Sequence, residues 1–169
     1  LIKNFDKTIA PEIAKMGDGC YDGELMGQDF TSLMRQAYRK EDIDTTGTYL
    51  ALFDFLPLDE WDSKSSKLSC EARFEILLDR LADNNVDLNL AQPVDRLDVE
   101  PKWELIKKEH DLFVEDGFEG AMVKFLDAPY KFGRGYEVMK LKAFHDVDVT
   151  VEGLLEGTGK HAGKLGSFQ

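Results

Sequence analysis

The sequence predicts an α+β fold, and three observations carry that prediction. An apolar run from Thr48 to Pro57 reads as a buried strand, helical periodicity recurs on both sides of it, and from Gly120 onward the signals are mainly those of strands. The chain has 169 residues and a mass of 19.2 kDa, which suits one globular domain or one domain with part of another. Its hydrophobic fraction of 43% and charged fraction of 32% exclude a disordered tail, a collagen-like repeat and a disulfide scaffold. No run approaches the roughly 18 apolar residues of a membrane span. No basic-then-apolar leader opens the chain. The expectation is a cytoplasmic protein with no membrane partner.

The first 15 residues carry little pattern, and Gly17-Asp18-Gly19 reads as a turn. Cys20-Tyr21-Asp22-Gly23-Glu24-Leu25-Met26 then reads as a short strand, with Asp22 and Glu24 on one face because successive side chains alternate. Phe30, Leu33, Met34, Ala37 and Tyr38 recur at helical spacing behind Asp29, which is placed to cap that helix. The run that Pro57 stops suits a central strand, apolar on both faces. Phe74, Leu77, Leu78 and Leu81 define an amphipathic helix over about 70–82, punctuated by Asn84-Asn85. A diluted strand is expected within 86–94. Pro101 opens a further helix, with Trp103, Ile106, His110 and Phe113 as its inner face and Gly117 as its stop. Strands are expected over 120–125, 136–143 and 146–155. The last shows strict alternation of Val147, Val149 and Val151 against Asp146, Asp148, Thr150 and Glu152. Residues 157–164 form a glycine-rich hairpin or loop. A domain boundary near Phe144 divides the chain into 1–143 and 144–169.

Three tempting motifs fail on spacing. The glycine loop has Thr158 where a phosphate-binding loop needs glycine, and Leu165 where it needs Ser or Thr. The segment from Asp42 to Gly47 begins like a calcium loop but places Phe53 at the position of the bidentate glutamate. His110, His145 and His161 are not paired at metal spacing, and Cys20 and Cys70 cannot build a zinc site. The two cysteines read as reduced thiols.

Net charge is −12, which taken alone argues against a polyanion binder. Yet residues 121–145 hold Lys124, Lys131, Arg134, Lys140 and Lys142 against only Asp127 and Glu137. Local potential guides a charged substrate, so the total charge does not exclude nucleic acid.

Three segments carry chemistry. Asp22-Gly23-Glu24 puts two carboxylates on one strand face, with a glycine that permits close approach of a backbone or ligand. Glu119 stands at the mouth of an apolar strand that runs from Gly120 to Lys124, and Lys140 and Lys142 project from one face of a strand. Paired lysines repel unless an anion lies between them, and a phosphate satisfies both. Paired glutamates repel likewise, and a divalent cation is the usual remedy. Each segment alone is common on surfaces. Together they describe a site for a nucleoside polyphosphate.

In this order the segments resemble the covalent nucleotidyltransferases, specifically ATP-dependent DNA ligases of the bacteriophage and bacterial type. Tyr21-Asp22-Gly23-Glu24-Leu25 is similar to the third family motif, and Leu52-Phe53-Asp54-Phe55-Leu56-Pro57 to the one after it. Glu119 to Lys124 is similar to the fourth, and Met139-Lys140-Leu141-Lys142 to the fifth. The resemblance covers roughly residues 18–168. It implies a partial, ATP-grasp-like nucleotidyltransferase (adenylation) domain over 1–143, followed by the start of an OB-fold barrel. It also implies ATP and Mg2+ as cofactors and nicked double-stranded DNA as the partner of a monomeric enzyme. Glu24 then contacts the nucleotide sugar or the metal, and Phe53 stacks on the base. Glu119 binds the divalent ion, and Lys140 and Lys142 neutralise the α-phosphate and orient the leaving pyrophosphate. Arg73 stands where such ligases often carry an arginine, with an ordinary surface arginine as the other reading. The role of Lys124 stays open, since five residues from Glu119 it would face the other way in a regular strand.

One departure is large. The family's Lys-x-Asp-Gly motif, whose lysine is the nucleophile, does not occur; Lys15-Met16-Gly17-Asp18-Gly19 has the wrong offset. The expectation is a fragment whose nucleophile lay upstream of Leu1 and which by itself is inactive. An RNA ligase, an mRNA-capping guanylyltransferase and a non-catalytic nucleotide-binding module are the rival readings. A glycosidase built on Glu24 and Glu119 would leave both lysines without purpose.

Overall fold

The computed structural model describes residues 3–142 and 147–169. The expected boundary at 143/144, His145 and the start of the expected 146–155 strand lie outside the described residues.

Architecture is mixed α and β, with three small sheets among the described residues. Strands β1 (Cys20–Met26), β2 (Tyr49–Leu56) and β3 (Ala91–Pro93) form the first, in that order. β2 is central, antiparallel to β1 and parallel to β3. Its apolar run is explained by that position: Leu52, Phe55 and Leu56 are buried among neighbours on either side.

Helix α1 (Ile9–Lys15) arises where little pattern was legible. It is short, and its burial rests on Ile9, which with Phe5, Leu33 and Ala37 forms a small cluster. Helix α2 (Phe30–Tyr38) begins as expected at Asp29, whose carboxylate accepts a hydrogen bond from the Ser32 amide. Its outermost aromatics, Phe30 and Tyr38, are exposed; Leu33 and Ala37 face inward. A one-and-a-half-turn helix, α3 (Leu58–Ser63), follows Pro57. Helix α4 (Cys70–Asp83) is capped by Ser69 and packs Phe74, Leu77 and Leu81 against Leu52, Phe55 and Ala91. Full burial of a leucine such as Leu77 stabilises by about 1.5–3 kcal/mol, so this helix-on-sheet layer is the main core.

Helix α5 (Trp103–Glu115) lies against a separate hairpin, β4 (Gly120–Lys124) with β5 (Val138–Lys142). A two-stranded sheet offers little area, and α5 fully buries no residue; Trp103, expected on its inner face, is exposed. Ile106, His110 and Phe113 are half-buried.

The third sheet corrects the expectation for 146–155. Within its described part, only Leu154–Glu156 forms a strand, β6, paired with β7 (Leu165–Phe168) across the glycine-rich loop. Residues 147–153 lie outside any strand and expose Val147, Val149 and Val151. Alternation shows that a segment can be half-buried, but a ladder also needs a neighbour: Glu152 and Gly153 bond to the Gln169 backbone, and among the described residues 147–151 have no such partner. No helix among the described residues is long and apolar enough to cross a membrane.

Candidate nucleotide site

The β4–β5 hairpin builds one half of the site. Helix α5 ends in a Schellman turn: Phe118 N–H donates to Phe113 O at 3.0 Å and Gly117 N–H to Val114 O at 3.1 Å. Gly117 takes φ +95°, open to glycine, and the Phe113 and Phe118 rings meet edge to face at 6.0 Å. This cap delivers Glu119 to the start of β4. There its Oε2 lies 2.9 Å from Lys142 Nζ and 3.7 Å from Lys140 Nζ, so both lysines converge on one oxygen. The hydrogen bond from Lys142 and the two positive charges hold the Glu119 carboxyl below the usual glutamate range.

Register then settles the open question of Lys124. Gly120 pairs with Lys142, Met122 with Lys140 and Lys124 with Val138. Residues directly opposite one another share a face, so Lys124, Lys140 and Lys142 stand on the same side. Glu119 precedes the strand, so counting alternation from it misplaces Lys124. From the end of that face Lys124 Nζ donates to Phe53 O at 3.1 Å and to Asp54 Oδ2 at 3.2 Å, and it lies 5.1 Å from the centre of the Phe53 ring.

The other half is the β1–β2 ladder. Asp22 pairs with Asp54 and Gly23 with Leu52, so Phe53 is the extra residue of a β-bulge. A bulge bends its strand and re-aims a side chain. Gly23 is required for close approach, as expected, and the approaching group is backbone: a Cβ there would lie 2.7 Å from Ala51 O. Glu24 is exposed.

Between the halves sits a buried charge cluster that sequence reasoning missed. Arg73 donates from Nε to Asp54 Oδ1 at 2.7 Å and from Nη2 to Oδ2 at 3.0 Å, and from Nη1 to Leu68 O at 2.7 Å. Arg73 is buried, which decides against a surface role. Asp54 also accepts from its neighbour's amide, Phe55 N–H, at 2.9 Å. Opposite it, burial first and the Asp54 charge second push the Asp22 carboxyl above the usual aspartate range. Tyr130 O–H donates to Asp22 at 3.4 Å, and burial with the adjacent Asp22 raises the tyrosine in turn. The signal was present, since Asp54 is a charge inside an apolar run and such charges are paired when buried.

Glu119, Lys140 and Lys142 are thus brought together, and Phe53 is tied to the same hairpin through Lys124. Glu24 lies on the other sheet, and among the described residues no ion pair or hydrogen bond joins it to Glu119. No group of three or more His, Cys, Asp or Glu suited to a metal occurs among the described residues. The charge count over 121–145 also changes meaning: Lys131 pairs with Glu137 at 3.4 Å and Lys124 with Asp54 at 3.2 Å.

No protein-family model matches the chain, and no curated protein does. Solved structures do. The structure named Pmar-Lig_PreS3 is 28% identical with a TM-score of 0.75, over 98% of this chain and 39% of that one. A structure from an analysis of Lig E DNA ligases, on DNA binding with a minimal scaffold, is 21% identical with a TM-score of 0.73, over 94% and 60%. The ATP-dependent DNA ligase of bacteriophage T7, in complex with ATP, is 19% identical with a TM-score of 0.62, over 98% and 57%. The chain has the fold of the DNA ligases. One of these neighbours is ATP-dependent, the class that the ordered motifs resemble, and the chain spans about two fifths of the first of them.

Proposed function

We propose that the chain is the nucleotide-handling part of an ATP-dependent DNA ligase. The observation that carries this reading is the convergence of Lys140 and Lys142 on one Glu119 oxygen. A phosphate oxygen can take the place that the carboxylate oxygen occupies between two ammonium groups. In this reading residues 1–143 are the adenylation (nucleotidyltransferase) domain and residues 144–169 begin an OB-fold. ATP lies with its base against Phe53 and its phosphates at the lysine face. Lys140 and Lys142 neutralise the α-phosphate and orient the leaving pyrophosphate, and such electrostatic stabilisation is the main protein contribution to phosphoryl transfer.

Mg2+ fits this donor set, because it is commonly held by one or two carboxylates together with substrate phosphates. Glu119 is exposed beside the lysines, and Glu24 is exposed on β1. The ion would withdraw charge from the triphosphate. Glu24 otherwise contacts the nucleotide sugar.

In the whole protein a lysine nitrogen bonds to the α-phosphorus and expels pyrophosphate. AMP passes to the 5′-phosphate of nicked duplex DNA, and the 3′-hydroxyl then displaces AMP as the strand is sealed. The enzyme acts as a monomer in the cytoplasm. The ligases among the structural neighbours support DNA over the RNA-joining and capping alternatives.

Incubated with magnesium and ATP labelled at the α-phosphate, this chain should stay unlabelled, because it contains no Lys-x-Asp-Gly segment. A stable lysyl adenylate on it would refute that expectation. In a protein that carries the nucleophile, Glu119→Ala or Lys142→Ala should abolish adenylate formation with the fold retained. Undiminished labelling in either variant would end the assignment.

A further inference from the structure

We infer that Lys124 is a positioning residue. It clamps the bulged Phe53 to the lysine face and so sets where a nucleobase can lie relative to the phosphates; this rests on the nucleotide reading above. Three contacts from one ammonium support it: the Phe53 carbonyl at 3.1 Å, Asp54 at 3.2 Å and the Phe53 ring at 5.1 Å. The residue it grips is the one that the β1–β2 pairing leaves without a counterpart, so the ladder does not fix Phe53. Lys124 supplies the missing restraint from another sheet. Its own register places it four residues along the shared face from the Gly120–Lys142 pair, about 13 Å of strand at about 3.3 Å per residue. Phe53 of β2 is therefore tied to the end of the hairpin face whose other end carries Lys142. Arg73 keeps the Asp54 carboxylate in place from the opposite side, so the clamp has a fixed anchor.

The test compares ATP with inorganic tripolyphosphate, which offers phosphates and no base, by titration calorimetry on the full chain. Wild type should prefer ATP, and Phe53→Ala should lose that preference. Lys124→Met should weaken ATP by about tenfold, the scale of losing one stacked base, with tripolyphosphate unchanged. Lys124→Arg, which keeps a cation at this position, should stay within about threefold of wild type. A purely structural role would weaken both ligands together. If Lys124→Met does not fold, Lys124→Gln makes the same comparison. Loss of preference in Phe53→Ala but not in the Lys124 variant would overturn the clamp and leave the nucleotide reading standing. No preference in wild type would overturn both.

Discussion

The molecule holds two lysine–carboxylate sets of similar composition in opposite environments. In the first, Asp54 and Arg73 have side chains only 4% exposed, with Lys124 joining them from the edge. In the second, Glu119, Lys140 and Lys142 are 74%, 54% and 43% exposed. Taking charges out of water is costly, so the buried set is stable only while every partner is present. The exposed set stabilises the fold little and can exchange its carboxylate for another anion. The first set is fitted to hold a shape, and the second is the one to which we assign the phosphates.

The sharpest way to break this contrast is to remove Asp54. Asp54→Ala leaves the Arg73 guanidinium buried beside the Leu68 and Ala128 carbonyls and the Tyr130 ring, with no carboxylate bonded to it, and should cost about 3–5 kcal/mol in urea unfolding. A loss below about 1 kcal/mol would mean that the pair is wetter than its burial indicates. Lys142→Ala should do the reverse. Its stability change should stay within about 0.5 kcal/mol, while tripolyphosphate binding should fall by about tenfold or more, because a charge-assisted contact is lost. Equal damage to stability and binding would dissolve the distinction.

A smaller effect tests the border between the sets. Asp22 has a folded-state pKa raised above its unfolded value by burial and by Asp54. A raised carboxyl binds its proton more tightly when folded, so it destabilises at neutral pH, and that penalty is relieved as pH falls through the raised value. Asp22→Asn should therefore raise the melting temperature at pH 7 and flatten its dependence on acidity, with Tyr130 still able to donate. A melting temperature at pH 7 equal to wild type would show that Asp22 is not penalised. The smallest effect is ionic: between 0.05 and 0.5 M salt the exposed set should weaken its hold on tripolyphosphate while the melting temperature moves little. A melting temperature that follows salt as steeply as binding would contradict the burial contrast.

Much of this was legible in the sequence because it depended on local pattern. The central strand, the capped helices α2 and α4, and the spacing of Lys140 and Lys142 follow from periodicity within a single segment. What was not legible depended on pairing across the chain. Helix α1 is too short for periodicity to stand out, and its core partners come from α2. The strand expected at 146–155 had the right alternation, but among the described residues 147–151 find no backbone partner. The role of Lys124 stayed open because its orientation is set by its register with β5. Arg73 was undecided because a helix position does not reveal what packs over it until Asp54 is placed. For the candidate site, residue types and order were readable, whereas the Phe53 bulge and its restraint were not.

That bulge has an evolutionary consequence. Because one surplus residue separates the two in-register halves of the β1–β2 ladder, deletion of a single codon at Phe53 would return the strands to one-to-one pairing. The base stacking we propose for Phe53 could thus be gained or lost by an insertion or deletion, with no change to the strands on either side.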